Sequence, residues 1–360
     1  MFDTFGEWTP GYFLRNWKAL LRLGGLDAFR TLHKAACSFF SDSRLIQLFG
    51  RFATYNGSSP YLTPATFAII PFVEWMFGGW YVKGGLYRIA EVMRTLAQRK
   101  GVEIRTGMEV KEIVVREGSV AGLRMEDETL FETGTVVMNA DALSVYENLL
   151  KVPKALRSAK RLRKFPLSLS GFVLMLGVDK TYAALAQHNI FFSENYRKEF
   201  EEIFEKQVPP SDPTVYISVS SKNDASMAPP GCSNLFILIN VPPQNAVYDW
   251  ANNALGYRDK IIGLLETKGL KDLRKHIRFE RIITPDDLEQ KYRAFRGTIY
   301  GLASHDRWSS FRRPPNRSRE VKGLYFAGGS THPGGGIPLV LLSGKTVSEL
   351  ILGKRIPIHD

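Results

Sequence analysis

Leu324-Tyr325-Phe326-Ala327-Gly328-Gly329-Ser330-Thr331-His332-Pro333-Gly334-Gly335-Gly336-Ile337-Pro338, running on into Leu342-Ser343-Gly344-Lys345, is the stretch that decides the fold. Residues 324–327 read as a short buried strand and 328–336 as a glycine-rich turn. Residues 338–352 read as a helix with proline near its first turn and Gly353 just past its end. In series, such elements present unpaired backbone N–H groups and the positive end of a helix dipole, which suit an anionic or carbonyl-rich ligand. Glycines let the ligand approach the backbone closely. The same corner is also a common packing device, so the spacing alone leaves both uses open.

Working outward, Trp80 to Gly101 reads as strand, Gly84-Gly85 turn and helix, with Leu86, Ile89, Ala90, Met93, Leu96 and Ala97 on one face and Gly101 as the terminating glycine. Val102 and Ile104 suggest a short strand, and Val110, Ile113 and Val115, then residues 120–125 and 129–133, a meander punctuated by Gly107, Gly118 and Gly134. Further strands are expected at 167–178, 215–219 and 235–241, and helices at 194–204 and 248–266. Residues 12–49 read as helical, broken at Gly24-Gly25, and 54–60 as a turn-rich loop. No internal repeat or low-complexity tract interrupts this order.

Composition narrows the class. With 44% hydrophobic and 23% charged residues over 360 positions, the chain is long enough for two domains with sizeable cores. Its net charge of +12 favours polyanionic partners such as nucleic acid or an anionic membrane surface. No nucleic-acid module is present, so the membrane is the expected partner. The 151–164 stretch holds seven basic residues and no acid, which suits anionic head groups and equally a solvated helix face. Two cysteines, Cys37 and Cys232, without metal-ligand spacing, suggest a reducing compartment and no metal site. The most apolar run, 67–82, is interrupted by Pro71 and Glu74, so no spanning helix is expected, and the amino terminus does not resemble a signal peptide. A cytoplasmic, peripherally membrane-associated protein follows.

The Gly-x-Ser-Thr-His-Pro-Gly-x-Gly-Ile-Pro core within the opening stretch resembles the signature that ends carotenoid desaturases of the phytoene desaturase type, in the flavin amine oxidase superfamily. Three further segments are similar to that family in the same order: 80–85, 212–217 with 228–231, and 284–288 with 297–301. The resemblance implies an α/β fold: an incomplete FAD-binding domain, Rossmann-like and of glutathione-reductase type, plus a mixed α+β substrate domain. Residues 80–141 and 321–360 would form the FAD-binding part, with 1–79 as the helical and 142–320 as the sheet part of the substrate domain. It assigns cofactor contacts to Gly328, Gly329, Ser330, Thr331, Gly334, Gly335, Gly336, Ile337 and Pro338, with Val110 toward the adenine and Asn139-Ala140 ending a strand nearby. Many superfamily members carry an acid about where Gly329 stands, so here that contact must come from the backbone or from elsewhere. Members also begin with G-x-G-x-x-G, which this sequence lacks: its only glycines two apart are Gly334 and Gly336, and position 339 is leucine. Roughly the first third of a complete enzyme is therefore expected to be missing, and a separately encoded amino-terminal segment is one possible partner.

The implied chemistry is FAD-dependent removal of two hydrogens across a C–C bond of a long, lipophilic isoprenoid such as phytoene or diapophytoene. Another flavin oxidoreductase, retinol saturase-like or amine-oxidising, and a non-catalytic fragment are the alternatives. Phe67, Phe72, Trp75, Phe77 and Trp80 offer apolar surface for such a substrate or plain core. Glu74, if buried, and His332 beside the glycine turn are the candidates for proton handling. His305 stands beside Ser304 and Asp306, but no nucleophile elbow accompanies them.

Overall fold

In a computed structural model, the chain is described at residue 27 and over residues 29–356. In chain order it forms α1 (Leu32–Phe39), α2 (Ser43–Arg51), α3 (Ile69–Phe77), α4 (Tyr87–Arg99), β1 (Val110–Arg116), β2 (Ser119–Met125), β3 (Leu130–Glu132) and β4 (Val136–Met138). There follow α5 (Pro153–Leu162), β5 (Ser170–Val178), β6 (His188–Phe191), β7 (Val215–Ser218), β8 (Ser233–Val241), α6 (Trp250–Thr267), β9 (Ile277–Ile283), α7 (Pro285–Tyr292), β10 (Leu324–Phe326) and α8 (Ile337–Leu352). By packing, the described residues up to Phe72, with Met108–Leu169 and those from Glu289 onward, make one unit, and Val73–Gly107 with Ser170–Leu288 make another. The sequence reading divided the chain by role, at different positions.

The first unit is built around Leu324-Tyr325-Phe326. β10 pairs parallel with β4, Leu324 opposite Val136 and Phe326 opposite Met138. Beside them β1, β2 and β3 form an antiparallel meander, joined on by Val120 N–H to the Lys322 carbonyl at 2.9 Å and Lys322 N–H to the Gly118 carbonyl at 2.9 Å. Gly323 has to be glycine here: its φ is +82°, and a Cβ would lie 2.2 Å from the Gly134 carbonyl oxygen. Ile113, Val136, Tyr146, Leu150, Leu324 and Phe326 share one core, with the Tyr146 and Phe326 rings 5.2 Å apart. The basic stretch becomes α5, which buries Ala155, Ala159 and Leu162 and turns its cations outward. Lys151 meets Glu112 at 3.0 Å and Arg163 pairs with Glu147.

The second unit is an antiparallel sheet in the order β6-β7-β8-β5-β9. β5 lies inside the sheet between β8 and β9, and Ser-Gly-Phe-Val-Leu-Met-Leu-Gly-Val is apolar at nearly every position, as a strand buried on both faces must be. One face is covered by α6: Phe172 stacks on Trp250 at 5.1 Å and meets Tyr257 edge-on at 5.1 Å. The opposite face carries Val173, Met175, Tyr216, Phe236, Leu238 and Phe279, linked by the register Met175 to Phe236, Tyr216 to Leu238 and Gly177 to Phe279. Phe236 is 37% and Phe279 60% exposed.

Several expectations change. Residues 80–82 form no strand: Trp80 is 90% exposed, and no described residue pairs with this segment to take its ladder hydrogen bonds. Val102 and Ile104 are likewise outside any strand and exposed. α4 forms where expected, with Gly101 at φ +79°, yet none of its residues is buried. The 12–49 helical segment lies outside the described residues up to 26, and beyond them it is split between α1 and α2 by Asp42, whose carboxylate accepts from Arg44 N–H. The 54–60 loop is mostly buried, with Ser58 fully so. Strands β6 and β9 were not foreseen. The helix expected at 194–204 is α-helical over Tyr196–Glu201 and π-helical over Glu202–Lys206.

Candidate functional site

The parallel pair β4 and β10 ends at Asn139-Ala140 and Ala327-Gly328, and crevices beyond the carboxyl ends of parallel strands are where α/β folds bind ligands. Ala327 N–H donates to the Met138 carbonyl at 3.0 Å, and Asn139 Nδ2 donates to the Ala327 carbonyl at 2.8 Å. Gly328, at φ +125°, packs against that amide so closely that a Cβ would lie 2.7 Å from Asn139 Nδ2. Asn139 and Gly328, with their chain neighbours Ala140 and Gly329, are thus brought together. Ser330 closes the group, its Oγ accepting from Ala142 N–H at 3.1 Å.

The turn is stitched from below. Ser343 Oγ accepts from Gly328 N–H at 3.1 Å, and Thr331 Oγ1 donates to the Gly328 carbonyl at 3.1 Å. Asn316 Nδ2 lies 3.0 Å from the Phe326 carbonyl, 2.9 Å from the His332 carbonyl and 3.0 Å from Ser343 Oγ. His332 N–H donates to the Pro314 carbonyl at 3.1 Å, and the side chain is buried. Further along, burial gives way to exposure at Gly336, Ile337 and Pro338.

α8 starts there. Its N-cap is Gly336, at φ +98° with no side-chain cap, and Pro338 has no N–H. The N–H groups of Ile337 and Leu339 therefore open the helix without a capping side chain. A Cβ on Gly336 would meet nothing within 4 Å, whereas one on Gly335 would lie 2.2 Å from Tyr300 Cδ1. The cradle is open at 336 and filled by an aromatic ring at 335. Such a surface fits the carbonyl groups and ribityl hydroxyls of a flavin through backbone N–H donors.

The remaining sequence candidates lie elsewhere. Val110 opens β1 on the antiparallel meander, and none of the turn's hydrogen bonds reaches it. Glu74 is half-buried on α3 among exposed Phe72, Val73, Trp75, Met76 and Phe77.

Other groups at the turn gave little sequence signal. Tyr300 contacts both Gly335 and Gly57, a Cβ on Gly57 lying 2.7 Å from Tyr300 Cδ2, and burial raises its phenol above the usual range. Arg313 is buried and donates from Nη1 to the carbonyls of Tyr300 at 2.9 Å and Gly329 at 3.0 Å, and from Nη2 to Leu302 at 3.1 Å. Burial lowers its guanidinium to about 10, with Asp141 acting the other way. Asp141 caps the short helix at Ala142 by accepting from Leu143 and Ser144 N–H. Desolvation pushes it up to about 6 despite those bonds, and Glu147 adds to the rise. His305 is lowered to about 4 by burial against Asp306's opposing charge, so its imidazole is neutral, and Nε2 accepts from Ser59 N–H at 3.3 Å. Among the described residues no cluster of three or more His, Cys, Asp or Glu could hold a metal ion, and no helix is long and apolar enough to cross a membrane.

Comparison with known proteins adds an independent finding. A model described as flavin containing amine oxidoreductase matches residues 23–352. A 4,4'-diapolycopene oxygenase from Methylomonas sp is 37% identical over 360 residues, covering 96% of this chain and 71% of its own length. A 1-hydroxycarotenoid 3,4-desaturase from Flavobacterium sp. (strain P99-3) is 39% identical over 334 residues, covering 93% of this chain and 67% of its own length. Among solved structures, an oxidoreductase from Methanosarcina mazei superposes with a TM-score of 0.58 at 17% identity, over 94% of this chain and 73% of its own.

Proposed function

This chain belongs to the flavin containing amine oxidoreductase family, and we propose that it oxidises a long, lipophilic polyene of the carotenoid class, removing two hydrogens across a C–C bond. It is an FAD-dependent oxidoreductase with an α/β flavoprotein fold. One observation carries the proposal: the strand-turn-helix of residues 324–352 sets Gly328 and Gly336 at positive φ beside an uncapped helix start, at the carboxyl ends of a parallel strand pair. The two curated relatives named above, both acting on carotenoids by name, support the substrate class.

A bound flavin supplies the two-electron acceptor. The chain's own groups bind, orient and exclude water. Gly328, Gly329, Ser330 and Thr331 with Asn139 and Ala140 form the floor of the proposed flavin cradle, Gly334 and Gly335 the limb packed on Arg313 and Tyr300, and Gly336, Ile337 and Pro338 its open lip. Val110 is the proposed adenine-side contact. The contact that an acid makes in many superfamily members would come here from backbone donors or from another residue. His332, fixed through both its backbone N–H and its carbonyl, is the proposed proton acceptor, with Glu74 second. We also place the protein at an anionic membrane surface on the cytoplasmic side, since such a substrate partitions into lipid and α5 presents exposed cations. The 360 residues carry no G-x-G-x-x-G. Tight FAD retention is therefore expected to need that motif, in cis or from a separately encoded segment.

The test is product analysis in cells that make acyclic polyenes, with the chain expressed alone and with such a segment. Products short of two hydrogens per step support desaturation. Products that have gained oxygen would move the reaction to the outcome named for the Methylomonas relative, and unchanged polyenes in both cases would refute the substrate class.

A further inference from the structure

Next to the glycine turn, Asn316 shows how a neutral amide can hold backbone carbonyls in place, bridging Phe326 and His332. Arg313 does a similar task with a full positive charge, at 6% exposure. Burying a guanidinium costs several kcal/mol unless its charge is compensated. Asp141 is the nearby opposite charge, but all three donations of Arg313 go to carbonyl oxygens, those of Tyr300, Leu302 and Gly329. The guanidinium also underlies the far limb of the turn, since a Cβ on Gly334 would lie 3.7 Å from its Cζ. One planar group thus ties the 300–302 segment to both limbs of the turn, and through Tyr300 to the ring that fills the space over Gly335. Only arginine has a fork wide enough to serve three carbonyls in fixed directions.

We propose that Arg313 is the positioning residue of the flavin cradle: its three carbonyl contacts hold the turn between Gly329 and Gly334 open, and its charge stays under the turn to favour an electron-rich ligand above it. This rests on the reading that the turn receives the flavin.

The experiment titrates riboflavin and FAD against the purified chain and its Arg313→Met, Arg313→Lys and Arg313→Gln variants, with amide hydrogen exchange of residues 326–340 read in parallel. Riboflavin is used because it lacks the adenosine, so it reports on the turn alone. Loss of charge-assisted hydrogen bonds should raise the riboflavin dissociation constant about ten-fold in Arg313→Met. Arg313→Lys should recover part of it, and Arg313→Gln, which keeps donors without charge, less. Exchange should quicken over 326–340 but not over β5 and β8 in the other unit. Wild-type riboflavin affinity and unchanged exchange in Arg313→Met would overturn the proposal, as would a Gln variant equal to wild type. If Arg313→Met fails to fold, the Lys and Gln variants decide by the same readouts. A wild-type chain that binds neither flavin, even with a G-x-G-x-x-G segment supplied, would end the flavin reading of the turn, while the exchange arm still judges Arg313.

Discussion

Gly335 and Gly336 are neighbours with different reasons to be glycine. At 335 the constraint is Tyr300, whose ring occupies the place of a Cβ, and at 336 it is the backbone, at φ +98° beside open space. Gly335→Ala should therefore cost about 1–3 kcal/mol by overpacking, an amount that shrinks in a Tyr300→Ala background. Gly336→Ala should cost roughly 1–2 kcal/mol for its left-handed backbone in either background. Urea unfolding of the single and double variants checks this, and strictly additive values would refute the Tyr300 contact. Gly336→Val should additionally lower flavin occupancy, because its side chain enters the open cradle. Asp141 gives a pH-dependent test. Its pKa is raised by burial to about 6, above the ordinary value, with Glu147 and Arg313 as the nearby charges. A group raised on folding contributes fully below its unfolded pKa of about 4, and that contribution is lost as pH rises through about 6. Asp141→Asn keeps the cap acceptor without the charge, so its stability relative to wild type should improve between pH 4 and pH 7.5. A difference that stays flat over that range would contradict the assignment.

At the scale of elements, α4 is the test case, because its thirteen residues include no buried one. Replacing Met93 and Leu96 by Gln should change stability by less than about 0.5 kcal/mol, whereas Phe172→Ala on β5 should cost about 3–5 kcal/mol. The α4 substitutions should also reduce self-association by sedimentation, since Val92, Met93 and Leu96 are exposed together. A large stability loss would mean that α4 packs where none of its residues is buried here. The same element shows what the sequence made legible. Periodicity and Gly101 gave its limits, as apolar runs gave β5, β7, β8 and α6, and as Leu324 to Gly353 gave strand, turn and helix. Strands at 80–82 and at Val102 and Ile104 failed because a strand exists only with a partner, and apolar alternation says nothing about whether one is present. β6 and β9, such as His-Asn-Ile-Phe, were too short or too charged to stand out. At the site, glycine spacing exposed the turn, but Asp141 lies far in sequence from Tyr300, Arg313 and Asn316, and all four act through backbone carbonyls and amides, which no side-chain pattern encodes. The Arg-Arg-Pro-Pro-Asn run at 312–316 was the one available signal.

For the whole molecule, a net charge of +12 and the outward cations of α5 imply attraction to acidic lipid. The chain should co-sediment with anionic vesicles at low salt and be released as the Debye length falls from about 10 Å at 0.1 M toward about 3 Å at 1 M. Replacing Lys154, Arg157 and Arg161 with Glu should weaken the interaction without unfolding the chain, because all three are exposed. Equal recovery of wild type with and without vesicles would refute it. The central claim is that a flavin held at residues 328–338 takes electrons from a polyene. Its most direct test is the visible absorption of bound flavin under anaerobic conditions, in a preparation loaded with FAD with a G-x-G-x-x-G segment in cis or in trans. Bleaching on addition of an acyclic carotenoid precursor, and none with a primary amine, is the expected result; bleaching by the amine alone, or by neither, would contradict it.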